Sequence, residues 1–144
     1  ETYLINRDEE HPHLRKKYFS KDIKDFVSDD ANFENLLNDW QKDFGRDFLK
    51  NPIDVVAGGP PCQGFSGIGL RRSYSVDKKQ LPSNHLYQDM AYFIHKIRPK
   101  IFLFENVEGL MRSRWTKDGE KGEIFKDVLS TFENIPNFSA NIVS

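Results

Sequence analysis

The stretch IDVVAGGPPCQGFSG, residues 53–67, decides how we expect this chain to fold. Its first half is a short run of apolar and β-branched residues ending in glycine, which is typical of a buried strand in a parallel sheet. Cys62, the one cysteine of the chain, follows this strand between a proline pair and several glycines. In open α/β sheets, ligands bind beyond the carboxyl ends of the strands. The stretch therefore predicts an α/β fold with a reactive thiol at the edge of its sheet.

A plainer interpretation of Cys62 stays open, because a lone cysteine is most often a small buried hydrophobe. One cysteine has no partner for a disulfide within the chain, and a cysteine-based metal site needs more ligands. We therefore expect no metal and a reducing compartment. No stretch resembles a signal peptide, and the longest strongly apolar run, IFLF at 101–104, is too short to span a membrane. The sequence predicts a soluble, cytoplasmic protein.

Strand and helix patterns alternate along the chain and predict a doubly wound α/β domain. Composition and length, with 38% hydrophobic residues among 144, suit one globular domain. The predicted strands are 2–5, 53–59, 100–107 and one beginning at 139, and those at 53–59 and 100–107 are expected to be buried. One predicted helix follows Pro12, and the others cover 30–44, 86–97 and 124–132.

Asp29 or Asp30 is expected to cap the helix at 30–44 and Gly45 to end it. Ser83 or Asn84 should begin the helix at 86–97, which Pro99 ends. The core face of the helix at 30–44 is expected to consist of Phe33, Leu36, Leu37, Trp40 and Phe44.

The strand at 100–107 ends in Glu105 and Asn106. If it is the parallel neighbour of the strand before Cys62, joined to it by the helix at 86–97, the carboxylate and the thiol face one pocket. A carboxylic acid half-buried there can donate a proton or a hydrogen bond near neutral pH. The alternative is that Glu105 is an ordinary strand-end charge in water.

Charge is nearly balanced, at 21 basic against 22 acidic residues, but it is unevenly distributed. Residues 51–100 carry seven Lys and Arg and three Asp and Glu, a surplus of seven minus three, or +4. Within them, the segment GLRRSYSVDKK at 69–79 contains Arg71, Arg72 and two lysines but only a single aspartate. Such a cluster attracts phosphates, although an ordinary solvated loop has the same composition.

Two segments together closely resemble the DNA cytosine methyltransferases that act at carbon-5 of the base. They are GGPPCQGFSG with its strand and, after a basic loop at 64–85, LYQDMAYFIHKIRPKIFLFENVEGL at 86–110. The Pro-Cys-Gln loop and the Glu-Asn-Val strand end occur in the family's order and at about its spacing. The resemblance covers nearly the whole chain, more weakly before residue 50. It implies a Rossmann-like, S-adenosylmethionine-dependent methyltransferase fold, incomplete in this chain, with 1–144 as part of the catalytic domain.

The resemblance implies roles for the residues at both strand ends. Family enzymes add a cysteine thiolate to carbon-6 of cytosine, which makes carbon-5 nucleophilic, and Cys62 matches that thiol. Glu105 matches the acid that protonates or hydrogen-bonds ring nitrogen 3. Carbon-5 then takes the methyl group of S-adenosylmethionine. Because a stacked base is inaccessible, the cytosine is flipped out, and the loop at 64–85 is the expected clamp.

Further contacts follow from the same resemblance. SKDI at 20–23 looks like the segment that contacts adenine, with Asp22 as carboxylate and Ile23 against the ring. The family's acidic ribose partner would fall at Asn6, and Asp8 lies nearby but out of register. The expected cofactor-binding residues are Asp22, Ile23, Gly59, Pro61, Leu86 and Asp8; the expected DNA-contacting residues are Gln63, Ser66, Arg71, Arg72 and Asn106.

Several family segments are not in these 144 residues, among them the opening glycine-rich strand and the target-recognition domain. We therefore expect double-stranded DNA and the remaining parts of the methyltransferase, in the same gene product or a second chain, as partners. We also expect the chain alone to be inactive, and its setting to be restriction–modification, on the nucleoid if bacterial. Two other functions fit the same residues: an RNA cytosine-5 methyltransferase and a non-catalytic remnant that binds a fuller methyltransferase.

Overall fold

The computed structural model describes residues 10, 12, 17–18, 22–48, 50–61 and 81–139. The chain divides into two compact units, residues 1–51 and 52–144, here called the N-terminal and C-terminal units. The strand predicted at 2–5, nearly all of the strand beginning at 139 and most of the helix after Pro12 lie outside the described residues. Among the described residues, no helix is long and apolar enough to cross a membrane.

The N-terminal unit contains helices α1, Lys24–Val27, and α2, Asp30–Phe44. The Asp29 side chain caps α2 by accepting a hydrogen bond from the backbone N–H of Ala31 at 2.9 Å. Gly45 ends it with a φ of 61°, a left-handed conformation that favours glycine. The predicted bounds of this helix are confirmed. Phe44, however, was expected in the core and is 42% exposed, because it occupies the last helical position.

The C-terminal unit is built on a parallel pair of strands, β1, Val55–Gly58, and β2, Ile101–Phe104. Val55 pairs with Ile101, and the register continues to Gly58 and Phe104. Helix α3, Leu86–Ile97, lies between the two strands in sequence. The prediction of parallel neighbours joined by this helix is confirmed.

The helices of this unit begin and end largely as their patterns predict. A 3₁₀ turn, Pro82–His85, leads directly into α3, so the expected Ser83 or Asn84 cap is wrong. The reason is that Pro82, whose fixed φ suits a first helical turn, starts the turn earlier than either residue. Arg98, in a left-handed conformation, ends α3 just before Pro99. A second 3₁₀ turn, Glu108–Arg112, and helix α4, Glu123–Glu133, follow β2.

The core of this unit lies on one face of the strand pair. Phe132 of α4 packs against Phe102 and Phe104 of β2, with ring centroids 5.1 and 5.0 Å apart. Buried side chains of the two helices complete it: Tyr87, Met90, Ala91 and Ile94 of α3, and Ile124 and Val128 of α4.

The opposite face of the strand pair is uncovered. Val55, Ile101 and Leu103 are 56, 62 and 60% exposed. The prediction that both strands are fully buried is therefore wrong. Successive side chains of a strand point to opposite faces, and the described helices of this unit cover the face that carries Phe102 and Phe104.

Candidate active site

The carboxyl ends of β1 and β2 lie side by side. The backbone N–H of Glu105 donates to the carbonyl of Gly58 at 3.0 Å, which extends the ladder one residue past β2. Because the strands are parallel and in register, Gly59 and Glu105 come next to each other at the same edge of the sheet. This is the juxtaposition predicted for the end of the cysteine-bearing strand and the carboxylate.

The Glu105 carboxylate lies against the backbone of Gly59. A Cβ added to Gly59 would stand 2.8 Å from Glu105 Oε2 and 3.5 Å from the Glu105 carbonyl oxygen. Position 59 must therefore stay without a side chain if the carboxylate is to keep its place. Glu105 is exposed, which agrees with the alternative of a strand-end charge in water rather than with a half-buried acid. It follows the last residue of β2, and Gly59 opposite it contributes no side chain to cover it.

Asn106 links the two strand ends through its side chain. Its Nδ2 donates to the carbonyl of Pro60 at 3.2 Å, and its Oδ1 accepts from the backbone N–H of Val107 at 2.9 Å. Both halves of the amide thus bond to the protein backbone. Pro60 precedes Cys62 by two residues in the chain.

Helix α3 approaches the same edge of the sheet from the covered face. A Cβ added to Gly58 would stand 3.0 Å from Met90 Sδ. Leu86, an expected cofactor contact, begins α3 one turn before Met90 and is half-buried. Burial raises the pKa of Tyr87, the residue after Leu86 in α3.

Asp22 and Ile23 belong to the N-terminal unit, where they precede α1. The Asp22 side chain accepts a hydrogen bond from the backbone N–H of Lys24 at 2.9 Å, and its backbone carbonyl accepts from Asp25 at 3.1 Å. Asp22 is exposed and Ile23 is half-buried. The two residues before α1 are thus an exposed carboxylate and a half-buried apolar side chain.

Pro61, an expected cofactor contact, is exposed, and the other predicted site residues lie outside the described part of the chain, so their roles remain predictions. Within the described ranges, no group of three or more His, Cys, Asp or Glu side chains could hold a metal ion. The predicted residues not described are Asp8, Cys62, Gln63, Ser66, Arg71 and Arg72, with most of the loop at 64–85.

Sequence reasoning missed the bond that joins Asn106 to Pro60. A backbone carbonyl accepts hydrogen bonds whatever its residue type, so the acceptor leaves no signal in the sequence. The available signal was Asn106 itself, since asparagine after a strand commonly bonds nearby backbone groups.

Comparison with known proteins gives consistent matches. A family model described as C-5 cytosine-specific DNA methylase matches residues 15–141. The chain is 37% identical over 92 residues to Type II methyltransferase M.AgeI of Thalassovita gelatinovora, covering 64% of this chain and 18% of that protein. It is 31% identical over 102 residues to Type II methyltransferase M.HpaII of Haemophilus parainfluenzae, covering 70% and 25%.

A third relative, Type II methyltransferase M.XorII of Xanthomonas oryzae pv. oryzae, is 38% identical over 85 residues, which cover 59% of this chain and 17% of that protein. The chain spans about a fifth of the length of the curated relatives it matches. No solved structure gives a significant match.

Proposed function

Because the chain belongs to the C-5 cytosine-specific DNA methylase family, we propose that it forms part of the catalytic domain of an enzyme that methylates carbon-5 of cytosine in DNA. The similar proteins are named type II methyltransferases, which supports a methyl-transfer reaction in restriction–modification. The methyl donor in this proposal is S-adenosylmethionine. The cellular setting is the cytoplasm, and the nucleoid if the source is bacterial.

One observation carries the proposal more than any other. The carboxylate of Glu105 lies against Gly59, and Asn106 bonds to Pro60, at the carboxyl ends of two parallel strands. Cys62 follows Pro61 directly in the chain. A thiol tethered to one strand end and a carboxylate at the other are the two groups that this reaction requires.

In the proposed reaction the Cys62 thiolate adds to carbon-6 of the cytosine ring and forms a carbon–sulfur bond. The electron pair of the carbon-5–carbon-6 double bond moves onto carbon-5, and Glu105 stabilises the ring by giving a proton or hydrogen bond to nitrogen 3. After carbon-5 accepts the methyl group, a water molecule takes the carbon-5 proton. The electron pair of the broken carbon–hydrogen bond re-forms the carbon-5–carbon-6 double bond and expels the thiolate, and a proton held on nitrogen 3 returns to Glu105, which regenerates the enzyme.

The base must leave the duplex before Cys62 can reach it, because carbon-6 is covered by stacking. We assign the loop at 64–85 as the clamp on the flipped-out nucleotide, with Arg71 and Arg72 at phosphates and Gln63 and Ser66 as further DNA contacts. The support is the surplus of positive charge in residues 51–100, seven basic against three acidic residues.

The residues assigned to the methyl donor fit its chemistry. When bound, S-adenosylmethionine supplies an electrophilic methyl group. The exposed Asp22 carboxylate can accept a hydrogen bond from an exocyclic amine, and Ile23 beside it offers an apolar surface to an aromatic ring. We assign the further donor contacts to Gly59, Pro61, Leu86 and, at the ribose, Asp8.

The same proposal extends to the fold. We infer that β1 and β2 are two strands of a Rossmann-like sheet. The exposure of Val55, Ile101 and Leu103 supports a sheet with further elements, which the same gene product or a second chain would supply.

DNA in which cytosine is replaced by 5-fluorocytosine tests the chemistry, because fluorine at carbon-5 cannot leave as a proton. The protein containing this chain should form a denaturation-resistant adduct that requires S-adenosylmethionine and maps to Cys62. Cys62→Ser should abolish the adduct, since a hydroxyl is far less ionised than a thiol near neutral pH. Glu105→Gln should slow it, because an amide cannot protonate the ring.

Unsubstituted DNA is the control and should give no lasting adduct. An undiminished adduct with Cys62→Ser would remove the nucleophile assignment. An adduct with 5-fluorocytosine in RNA but not in DNA would favour the RNA methyltransferase instead. No adduct with either nucleic acid would favour a non-catalytic role.

A further inference from the structure

From Ile101 to Glu105, the hydrogen bonds that β2 donates toward β1 follow a regular series, which changes at Asn106. Ile101 N–H donates to the carbonyl of Asp54 at 2.9 Å, and Glu105 N–H donates to that of Gly58 at 3.0 Å. Successive bonds of a parallel ladder are evenly spaced, two residues apart on each strand. The next member of the series would join Val107 N–H to the carbonyl of Pro60.

The side chain of Asn106 stands in that place. Val107 N–H donates to Asn106 Oδ1, and Asn106 Nδ2 donates to the Pro60 carbonyl. The Asn106 amide thus accepts a hydrogen bond from Val107 N–H and donates one to the Pro60 carbonyl, the two groups that the expected backbone bond would join directly. We propose that Asn106 is a positioning residue whose inserted amide separates the two strand ends and holds the root of the Cys62 loop. This inference rests on the proposed function.

The chemistry of the two partners specifies an amide. The Pro60 carbonyl can only accept, and Val107 N–H can only donate, so the side chain must present a donor to one and an acceptor to the other. Rotating the amide by half a turn would place its oxygen against the Pro60 carbonyl and its NH₂ group against Val107 N–H, so that acceptor would face acceptor and donor would face donor. A carboxylate satisfies Val107 alone, and alanine satisfies neither partner.

We expect the position of Cys62 to depend on that of Pro60, because the chain between them is stiff. Proline fixes φ near −65°, and both Pro60 and Pro61 have this restriction. Few soft torsions therefore separate the Pro60 carbonyl from the thiol-bearing residue. On the other strand, Asn106 is bonded covalently to Glu105. The amide thus sets the spacing between the carboxylate and the nucleophile loop.

The test is the rate of adduct formation on 5-fluorocytosine DNA, in the protein containing this chain, for Asn106→Asp and Asn106→Ala. We expect each variant to lower the single-turnover rate by at least about tenfold, because misplacing reacting groups by about 1 Å has effects of that size. The Kd for DNA and the KM for S-adenosylmethionine should change by less than twofold. Asn134→Asp, an exposed asparagine at the end of α4, is the matched control and should keep the wild-type rate.

A raised Kd for DNA with an unchanged rate would overturn the proposal and assign Asn106 to DNA contact. An unchanged rate and Kd in both variants would also overturn it. If the wild-type protein forms no adduct, the proposed function fails. Crystal structures of the wild type and of Asn106→Ala then test, without the reaction, whether the Asn106 amide is inserted between the strand ends. Asn106→Ala should bring Val107 N to within about 3.2 Å of Pro60 O. A wild-type structure with that direct bond would contradict the proposal.

Discussion

The two faces of the β1–β2 pair carry equally apolar residues but have opposite surroundings. On one face, Phe102 and Phe104 pack against Phe132, which is 3% exposed. On the other, Ile101 and Leu103 are 62 and 60% exposed. The difference shows that the burial of a strand residue depends on what packs against its face rather than on its own hydrophobicity.

The free energy of unfolding should therefore depend strongly on the covered face and weakly on the uncovered one. Buried apolar atoms contribute in proportion to the area that folding removes from water, and side chains left in solvent contribute little. Substitutions of similar size on the two faces measure the comparison directly.

The largest effect is expected for Phe132→Ala. This substitution removes the ring that packs against both phenylalanines of β2 and leaves a cavity between α4 and the sheet. We expect it to lower the free energy of unfolding by about 3–5 kcal/mol. Urea denaturation of the 144-residue chain by itself measures the change, and a loss below about 1 kcal/mol would show that α4 does not depend on this contact.

A smaller effect is expected for Gly58→Ala, at the end of the covered face. The added methyl would stand 3.0 Å from Met90 Sδ and 3.1 Å from Met90 Cε, so the thioether must move. Because the end of a methionine side chain is flexible, we expect a loss of about 1 kcal/mol. Ala57→Val, one residue earlier on the exposed face, is the control and should cost nothing. Equal losses for the two would contradict the assignment of the faces.

The smallest effect is expected for Leu103→Ser on the uncovered face. With 60% of its surface in solvent, Leu103 should change the free energy of unfolding by no more than about 0.5 kcal/mol. The measurement is the same urea denaturation, with Phe132→Ala as the reference. A loss above about 2 kcal/mol would mean that this face is buried within the 144-residue chain itself and would remove the contrast.

Much of the local structure could be predicted from the sequence. The bounds of α2 and its Gly45 stop were predicted correctly, and Asp29 was one of the two predicted caps, because capping and periodicity depend on residues a few positions apart. The parallel pairing of the two strands was also predicted, since a strand, helix, strand order admits few connections. The placement of Glu105 beside the end of β1 followed from that pairing.

Other features depended on contacts between distant segments. The exposure of Ile101 and Leu103 could not be predicted, because alternation gives the two faces of a strand but not which face is covered. The bond from Asn106 to Pro60 joins residues 46 positions apart and ends on a backbone carbonyl. Neither property is visible in the residue types of one strand.

The amino-acid sequence by itself determined helices α2, α3 and α4, strands β1 and β2, the order that makes these strands parallel, and the resemblance carried by the loop and strand end around Cys62 and Glu105. Only the tertiary structure decided that the Glu105 carboxylate lies against Gly59 and that the Asn106 amide stands between Pro60 and Val107. The physical reason is the distance along the chain over which each effect acts. Propensity and periodicity act over a few residues, whereas a bond across the ends of two strands depends on the register in which those strands meet.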